Sequence, residues 1–189
     1  MHAITDHHNL VRVTHPNIIA ELIYATVNNF THQQLYPSNT PLYLHKNVAQ
    51  HLYDAADECA THGLYLKIWD AYRPLSMQRK MWEIIPDERY VSNPAKGGYH
   101  TRGCALDVTL CDKNGTNLAM PSDFDCFDER AHTTNFDQLP DDIKKNVLLL
   151  KTIMEQHGFT QNNYEWWHFD FLPLEKFPVL AISFEQLDV

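Results

Sequence analysis

Between Lys46 and His62 the apolar residues Val48, Leu52, Ala55, Ala56 and Cys59 recur every three or four positions, the spacing of one face of a helix, and Gly63 follows as a C-terminal cap. The pattern predicts an amphipathic helix over 46–62. The period then drops to two: in "LYLKIWDAYRP" (64–74), Leu64, Leu66 and Ile68 alternate with Tyr65, Lys67 and Trp69 until Pro74 ends the run, so a half-buried strand is expected with Arg73 at its end. Met77, Met81 and Ile84 restore helical spacing over 75–85, and a segment rich in Pro, Gly, Asn and Ser (86–99) reads as a long loop or flap. "CALDVTL" (104–110) alternates again, with Leu106, Val108 and Leu110 on one face and Ala105, Asp107 and Thr109 on the other, before the turn residues "DKNG" (112–115). A second helix is predicted from Pro140, with Asp141 and Asp142 in its first turn, through Ile143, Val147, Leu150 and Met154 to Gly158. The aromatic run "YEWWHFDF" (164–171) is strand-like. Helices and strands mixed at irregular spacing favour an α+β fold with a mostly antiparallel central sheet over a regular βαβ array.

The 189 residues suit one domain, with no repeat or linker-like stretch to divide them, and 44% hydrophobic and 12% aromatic residues are ordinary for a globular protein. A net charge of −9 with no Lys/Arg run excludes nucleic acid as a partner. No apolar run is long enough to span a bilayer, and the N-terminal stretch through Phe30 lacks the basic, apolar and small-residue order of a secretion signal, so a cytoplasmic location with no membrane partner is expected. Cys59, Cys104, Cys111 and Cys126 follow no CxxC spacing and are expected to be free thiols. Twelve histidines is a high count, but most, such as His7, His8, His15 and His32, stand singly among polar residues and identify no ligand.

The candidate chemistry lies in two segments. In "GGYHTRGCALDVTL" (97–110), a turn at Gly103 can fold the His100 imidazole back toward Asp107, giving nitrogen and oxygen ligands for a borderline cation such as Zn²⁺. In "EWWHFDF" (165–171), Glu165 and His168 are three apart, cofacial on a helix but on opposite faces of a regular strand. With Glu165 in the turn before the strand and His168 on it, both can approach one centre. Each piece also has an ordinary reading: Asp107 on a solvent-facing side of its strand, Glu165 at the surface, His168 packed among aromatics. Together, His100, Asp107 and His168 leave a fourth tetrahedral position open for water, the catalytic rather than the structural type of zinc site. Zinc would lower the pKa of its water to about 7, and Glu165 would take up the proton and pass it to a leaving amine, so amide hydrolysis is expected.

"YHTRGCALDVTL", "EWWHFDF" and "IWDAYRP", with "LIYATVNNF" (22–30) and "FDCFDERAH" (124–132), closely resemble the D-alanyl-D-alanine dipeptidases, the VanX-like branch of the zinc D,D-peptidases. The resemblance covers most of residues 20–171, and the pattern of a His, xxGxAxD and a later ExxH falls without a gap on His100, Gly103, Ala105, Asp107, Glu165 and His168. It implies an α+β fold with a central antiparallel sheet, a zinc cofactor and cleavage of a free dipeptide into two amino acids. It also implies that Arg73 stabilises the tetrahedral transition state; a fixed cation aimed at an oxyanion contributes about 3 kcal/mol, whereas a surface salt bridge from Arg73 to Asp70 would be worth about 0–1 kcal/mol. For the substrate amine the resemblance points to Tyr24 and to one of Asp123, Asp125 and Asp128, of which Asp125 is preferred. An Asp about 4 Å from an ammonium gains about 4 kcal/mol at an effective dielectric near 20, before desolvation.

One departure stands out. Most of the family has Ser two residues before the first ligand His and often a small polar residue directly before it, whereas this chain has Gly98 and Tyr99. A hydroxyl is lost and a ring gained at the pocket rim, where Tyr99 could narrow the pocket or replace the donor through its phenol. The alternatives are a D,D- or L,D-carboxypeptidase acting on peptidoglycan stems, or a non-catalytic zinc-stabilised binding module; the latter would need neither Glu165 nor Arg73.

Overall fold

The computed structural model describes residues 9–187; His7, His8 and the start of the N-terminal stretch lie outside them. In chain order the elements are β1 (Leu10–Arg12), β2 (Ile18–Ala20), β3 (Tyr43–His45), α1 (Lys46–Thr61), β4 (Tyr65–Asp70), α2 (Leu75–Ile84), β5 (Ala105–Cys111), α3 (Asp141–Gln156), β6 (Phe159–Gln161), β7 (His168–Phe171) and α4 (Phe184–Leu187). Short 3₁₀ turns include His100–Arg102. The main sheet has the order β2-β4-β5-β7-β6. The β4–β5, β5–β7 and β6–β7 pairings are antiparallel and the edge strand β2 runs parallel to β4, so the α+β expectation holds with a mixed, mostly antiparallel sheet. β1 and β3 form a separate antiparallel pair.

The helices follow the apolar stripes. α1 buries Val48, Ala49, Leu52, Ala55, Ala56 and Cys59, and the His45 imidazole accepts from Asn47 N–H at its start. Gly63, at φ +71°, supplies the left-handed residue beyond its end. α3 begins after Pro140 and buries Val147, Leu150, Ile153 and Met154. Both helices lie on the sheet face carrying Leu66, Ile68, Leu106, Val108 and Leu110, all fully buried; burial of each such side chain is worth about 1.5–3 kcal/mol.

Two strand expectations change. The chain leaves the sheet after Asp70, because Ala71 N–H turns to the Asp70 carboxylate while Tyr72 N–H and Arg73 N–H bond to Tyr43 and His100 carbonyls. Arg73 therefore stands three residues beyond the strand. The aromatic run 164–171 is a strand only from His168, since Trp166 and Trp167 are buried in the turn that precedes it.

Candidate active site

β5 is the middle strand of the sheet and all seven of its residues are buried. The second face of the sheet is closed over by irregular chain, with Phe124 packed on Trp69 and Trp167, so the solvent-facing reading of Asp107 does not hold. Asp107 stands opposite His168 on β7. On its other side a register shift between Ile68 and Asp70 brings Asp70, rather than Trp69, opposite Asp107. The bulge re-aims the end of β4 and lines up an acid, an acid and an imidazole across three adjacent strands.

His100 reaches this row from the 3₁₀ turn before β5. Gly103 makes the approach possible: its φ is +66°, and a Cβ there would lie 2.7 Å from Leu10 Cδ2 and 3.0 Å from the backbone nitrogen of His45. His168 Nδ1 lies 3.0 Å from Asp107 Oδ1 and 3.2 Å from His100 Nε2, and His100 Nε2 lies 3.4 Å from Asp107 Oδ1. The outer nitrogens fix the tautomers. His100 Nδ1 sits 2.7 Å from the Ala71 carbonyl and His168 Nε2 sits 2.8 Å from Asp170 Oδ1, and both partners can only accept, so each outer nitrogen carries a proton. In neutral imidazoles the inner nitrogens are then bare lone pairs aimed, with a carboxylate oxygen, at one point. Three convergent acceptors repel one another unless a cation or an extra proton joins them, so the donor set fits a divalent metal. Electrostatics carry the same message. Burial works against charge on His168, yet Asp170 and Asp107 push its pKa well above the ordinary imidazole range. Burial would raise Asp107, but His100 and His168 outweigh it and hold it well below the carboxylate range.

Glu165 and Arg73 line the same cavity, of about 170 Å³. Glu165 is 7% exposed, and burial, aided by Asp107 and Asp125 against His168 and Arg73, pushes its carboxyl well above the usual range. The surface reading of Glu165 is therefore excluded. The salt bridge between Arg73 and Asp70 exists, but it is buried rather than at the surface: Arg73 NH2 is 2.7 Å and Nε 2.8 Å from Asp70 Oδ2, and Asp70 is inaccessible. Asp70 Oδ1 also accepts from Tyr36 O–H and Ala71 N–H. Arg73 NH1 donates to Gln78 Oε1 at 2.9 Å, and the guanidinium lies over the Tyr24 ring. Three of the five N–H donors are thereby committed. Burial opposes the guanidinium charge, but Asp70 and its neighbours hold Arg73 firmly protonated.

Among the three candidate acids, Asp125 faces this cavity. Its carboxylate accepts from Tyr24 O–H at 2.9 Å and Phe30 N–H at 3.2 Å, and its backbone is left-handed (φ 59°), a conformation Asp tolerates at a cost. Burial pushes it up to about 7. Asp123 borders a neighbouring groove, and Asp128 caps a 3₁₀ turn and pairs with Arg130. Tyr99 is half-buried and lines the cavity. Sequence reasoning missed Gln78, Asp170 and Ser92 and gave Asp70 only a surface role. Asp70 precedes Arg73 by three residues and Asp170 shares a strand face with His168, so both had a spacing signal; Gln78 and Ser92 are joined to the site only by the fold.

The family model described as D-ala-D-ala dipeptidase matches residues 5–177. A D-alanyl-D-alanine dipeptidase from Escherichia coli (strain K12) is 37% identical over 91% of this chain and 88% of its own length. Its namesake from Enterococcus faecalis is 32% identical over 85% of this chain and 89% of its own length. A solved structure, VanYB in complex with D-alanine-D-alanine, aligns more distantly, with a TM-score of 0.48 and 14% identity over 73% of this chain and 76% of that one. With a family model matched over nearly its whole length, the chain belongs to the D-Ala-D-Ala dipeptidase family of peptidases.

Proposed function

We propose that this chain hydrolyses the free D-alanyl-D-alanine dipeptide to two D-alanines, with a zinc ion held by His100, Asp107 and His168. The observation that carries the reading is the convergence of three bare acceptor atoms beside a buried carboxyl, Glu165, and a buried guanidinium, Arg73, in one small cavity. Zinc bound there would lower the pKa of a water to about 7 and polarise the scissile carbonyl.

Glu165 would accept a proton from the attacking water as it adds to the carbonyl carbon, and would return a proton to the amide nitrogen as the C–N bond breaks. Burial raises its pKa above the ordinary carboxylate range, the direction expected of a group that both accepts and returns a proton. Arg73, immobilised by Asp70 and Gln78, offers its two uncommitted N–H groups to the carbonyl oxygen as charge develops there. Asp125, oriented by Tyr24 and Phe30, accepts the substrate ammonium. A carboxylate at that end favours a free amine over an acylated one, which distinguishes a dipeptidase from a carboxypeptidase on stem peptides.

The test is steady-state kinetics of the zinc-loaded protein on D-Ala-D-Ala and on its N-acetyl derivative, with and without a chelator. Chelator-sensitive cleavage of the free dipeptide and little of the acetylated one is expected. Equal cleavage of both would move the assignment to a carboxypeptidase, and cleavage of neither would reject a peptidase role for the site.

A further inference from the structure

Gly98 poses a question of space. It is buried, and unlike Gly97 and Gly103 it has no positive φ, so its backbone would accept an L side chain. A Cβ built there, however, would lie 2.7 Å from both Cβ and Oγ of Ser92. The room that a side chain at position 98 would occupy is filled by the hydroxymethyl group of Ser92, reaching across from the other arm of the 86–99 loop.

Ser92 belongs to the catalytic cavity. It lines the cavity with Arg73, His100 and Glu165. Its backbone carbonyl accepts from Gln78 Nε2 at 2.7 Å, and the oxygen of the same amide accepts from Arg73 NH1, so Gln78 fixes the serine relative to the guanidinium. Other polar groups around the cavity are already engaged: Arg89 with Asp87, Tyr24 with Asp125, and Tyr90 with His132. Among the described residues no hydrogen bond ties up Ser92 Oγ, which leaves a positioned hydroxyl available to a ligand.

A dipeptide zwitterion brings two charged ends. Asp125 answers the ammonium, and the carboxylate needs donors. We propose that Ser92 donates its hydroxyl to the carboxylate of the dipeptide's C-terminal residue, supplying from the opposite arm of the loop the hydroxyl missing at position 98. The proposal rests on the dipeptide reading of the site.

The experiment is titration calorimetry of D-Ala-D-Ala and of its C-terminal amide into zinc-loaded protein carrying Glu165→Gln, which separates binding from turnover. Ser92→Ala in that background should weaken dipeptide binding about 10- to 100-fold, the worth of one hydrogen bond to a charged group, and should leave the amide nearly unaffected. The reciprocal variant Ser92→Gly with Gly98→Ser returns a hydroxyl to the same space without a clash and should restore affinity for the acid. Equal affinities with and without Ser92→Ala, or a loss that the reciprocal variant does not repair, overturns the assignment while leaving the dipeptide reading intact. A zinc-loaded protein that binds no dipeptide at all overturns both.

Discussion

Asp70 and Asp107 stand opposite each other on neighbouring strands, and Arg73 reaches both, with its NH2 2.7 Å from one carboxylate and 3.7 Å from the other. The bulge in β4 creates the pairing. Two buried acids side by side repel, and the guanidinium between them together with the imidazoles beyond makes the arrangement tenable. Arg73 is thus held by the same scaffold that presents Asp107, so the proposed oxyanion group and the proposed metal centre share one support.

Removing Asp70 should therefore damage both stability and chemistry. Asp70→Ala leaves the Arg73 guanidinium buried without its main partner, a change worth about 3–5 kcal/mol in unfolding free energy. Urea denaturation measures the loss, and kcat on D-Ala-D-Ala should fall with it. A variant as stable and active as wild type would show that Asp70 does not set Arg73.

Glu165→Gln keeps the shape of the side chain but not its basicity. Zinc content by atomic absorption should match wild type, while kcat falls by at least about 100-fold, the lower range for losing a general acid–base. Loss of zinc in this variant would instead make Glu165 a ligand.

Asp170 accepts from His168 Nε2 and so selects the tautomer that aims Nδ1 inward. Asp170→Asn should weaken zinc binding about 10- to 100-fold in chelator competition. His168→Ala should abolish it.

Burial pushes the Asp125 carboxyl up to about 7. Below that pH it is neutral and offers no charge to an ammonium; above it the carboxylate is ionised. The ratio 1/KM should thus rise with pH through about 7 and fall again near pH 8 as the dipeptide amine, whose ordinary pKa is about 8, loses its proton. A cation in the triad offsets the Asp107 contribution and moves the lower limb down. Asp125→Asn should remove that limb and raise KM at all pH values.

The four cysteines are free, and burial pushes Cys59 and Cys104 up to about 12. Cys111 is also buried, whereas Cys126 is partly exposed. A disulfide reagent at pH 8 should label one thiol per native chain and four after denaturation.

The helices and the core strands were legible because period and burial coincide there: the stripe of α1 and the alternation of Leu106, Val108 and Leu110 each face one layer. Less legible was the neighbourhood of Asp107. An alternating pattern says which residues share a face, not whether that face meets water, and here loop chain from the 122–127 region covers it. The residues of the site were readable as far as they sit in short local motifs, His100 with Asp107 and Glu165 with His168. Gln78 and Ser92 carry no such signal, since a lone polar residue in a helix or a loop reads as surface until the fold brings Gln78 against Arg73 and Ser92 into the same cavity. The bulge at Trp69 also leaves no trace in the alternation of β4, so the true partner of Asp107 could not be read from its spacing.

Asp107 and His168 face each other across two strands although 61 positions separate them in the chain, and His100 lies 68 positions before His168. No fragment ending short of His168 can gather the three donors. On the ribosome, the cation uptake proposed for these donors would wait until the chain has emerged through His168 and β7 has been laid beside β5, which would make it a late report of completed assembly rather than a nucleus for it.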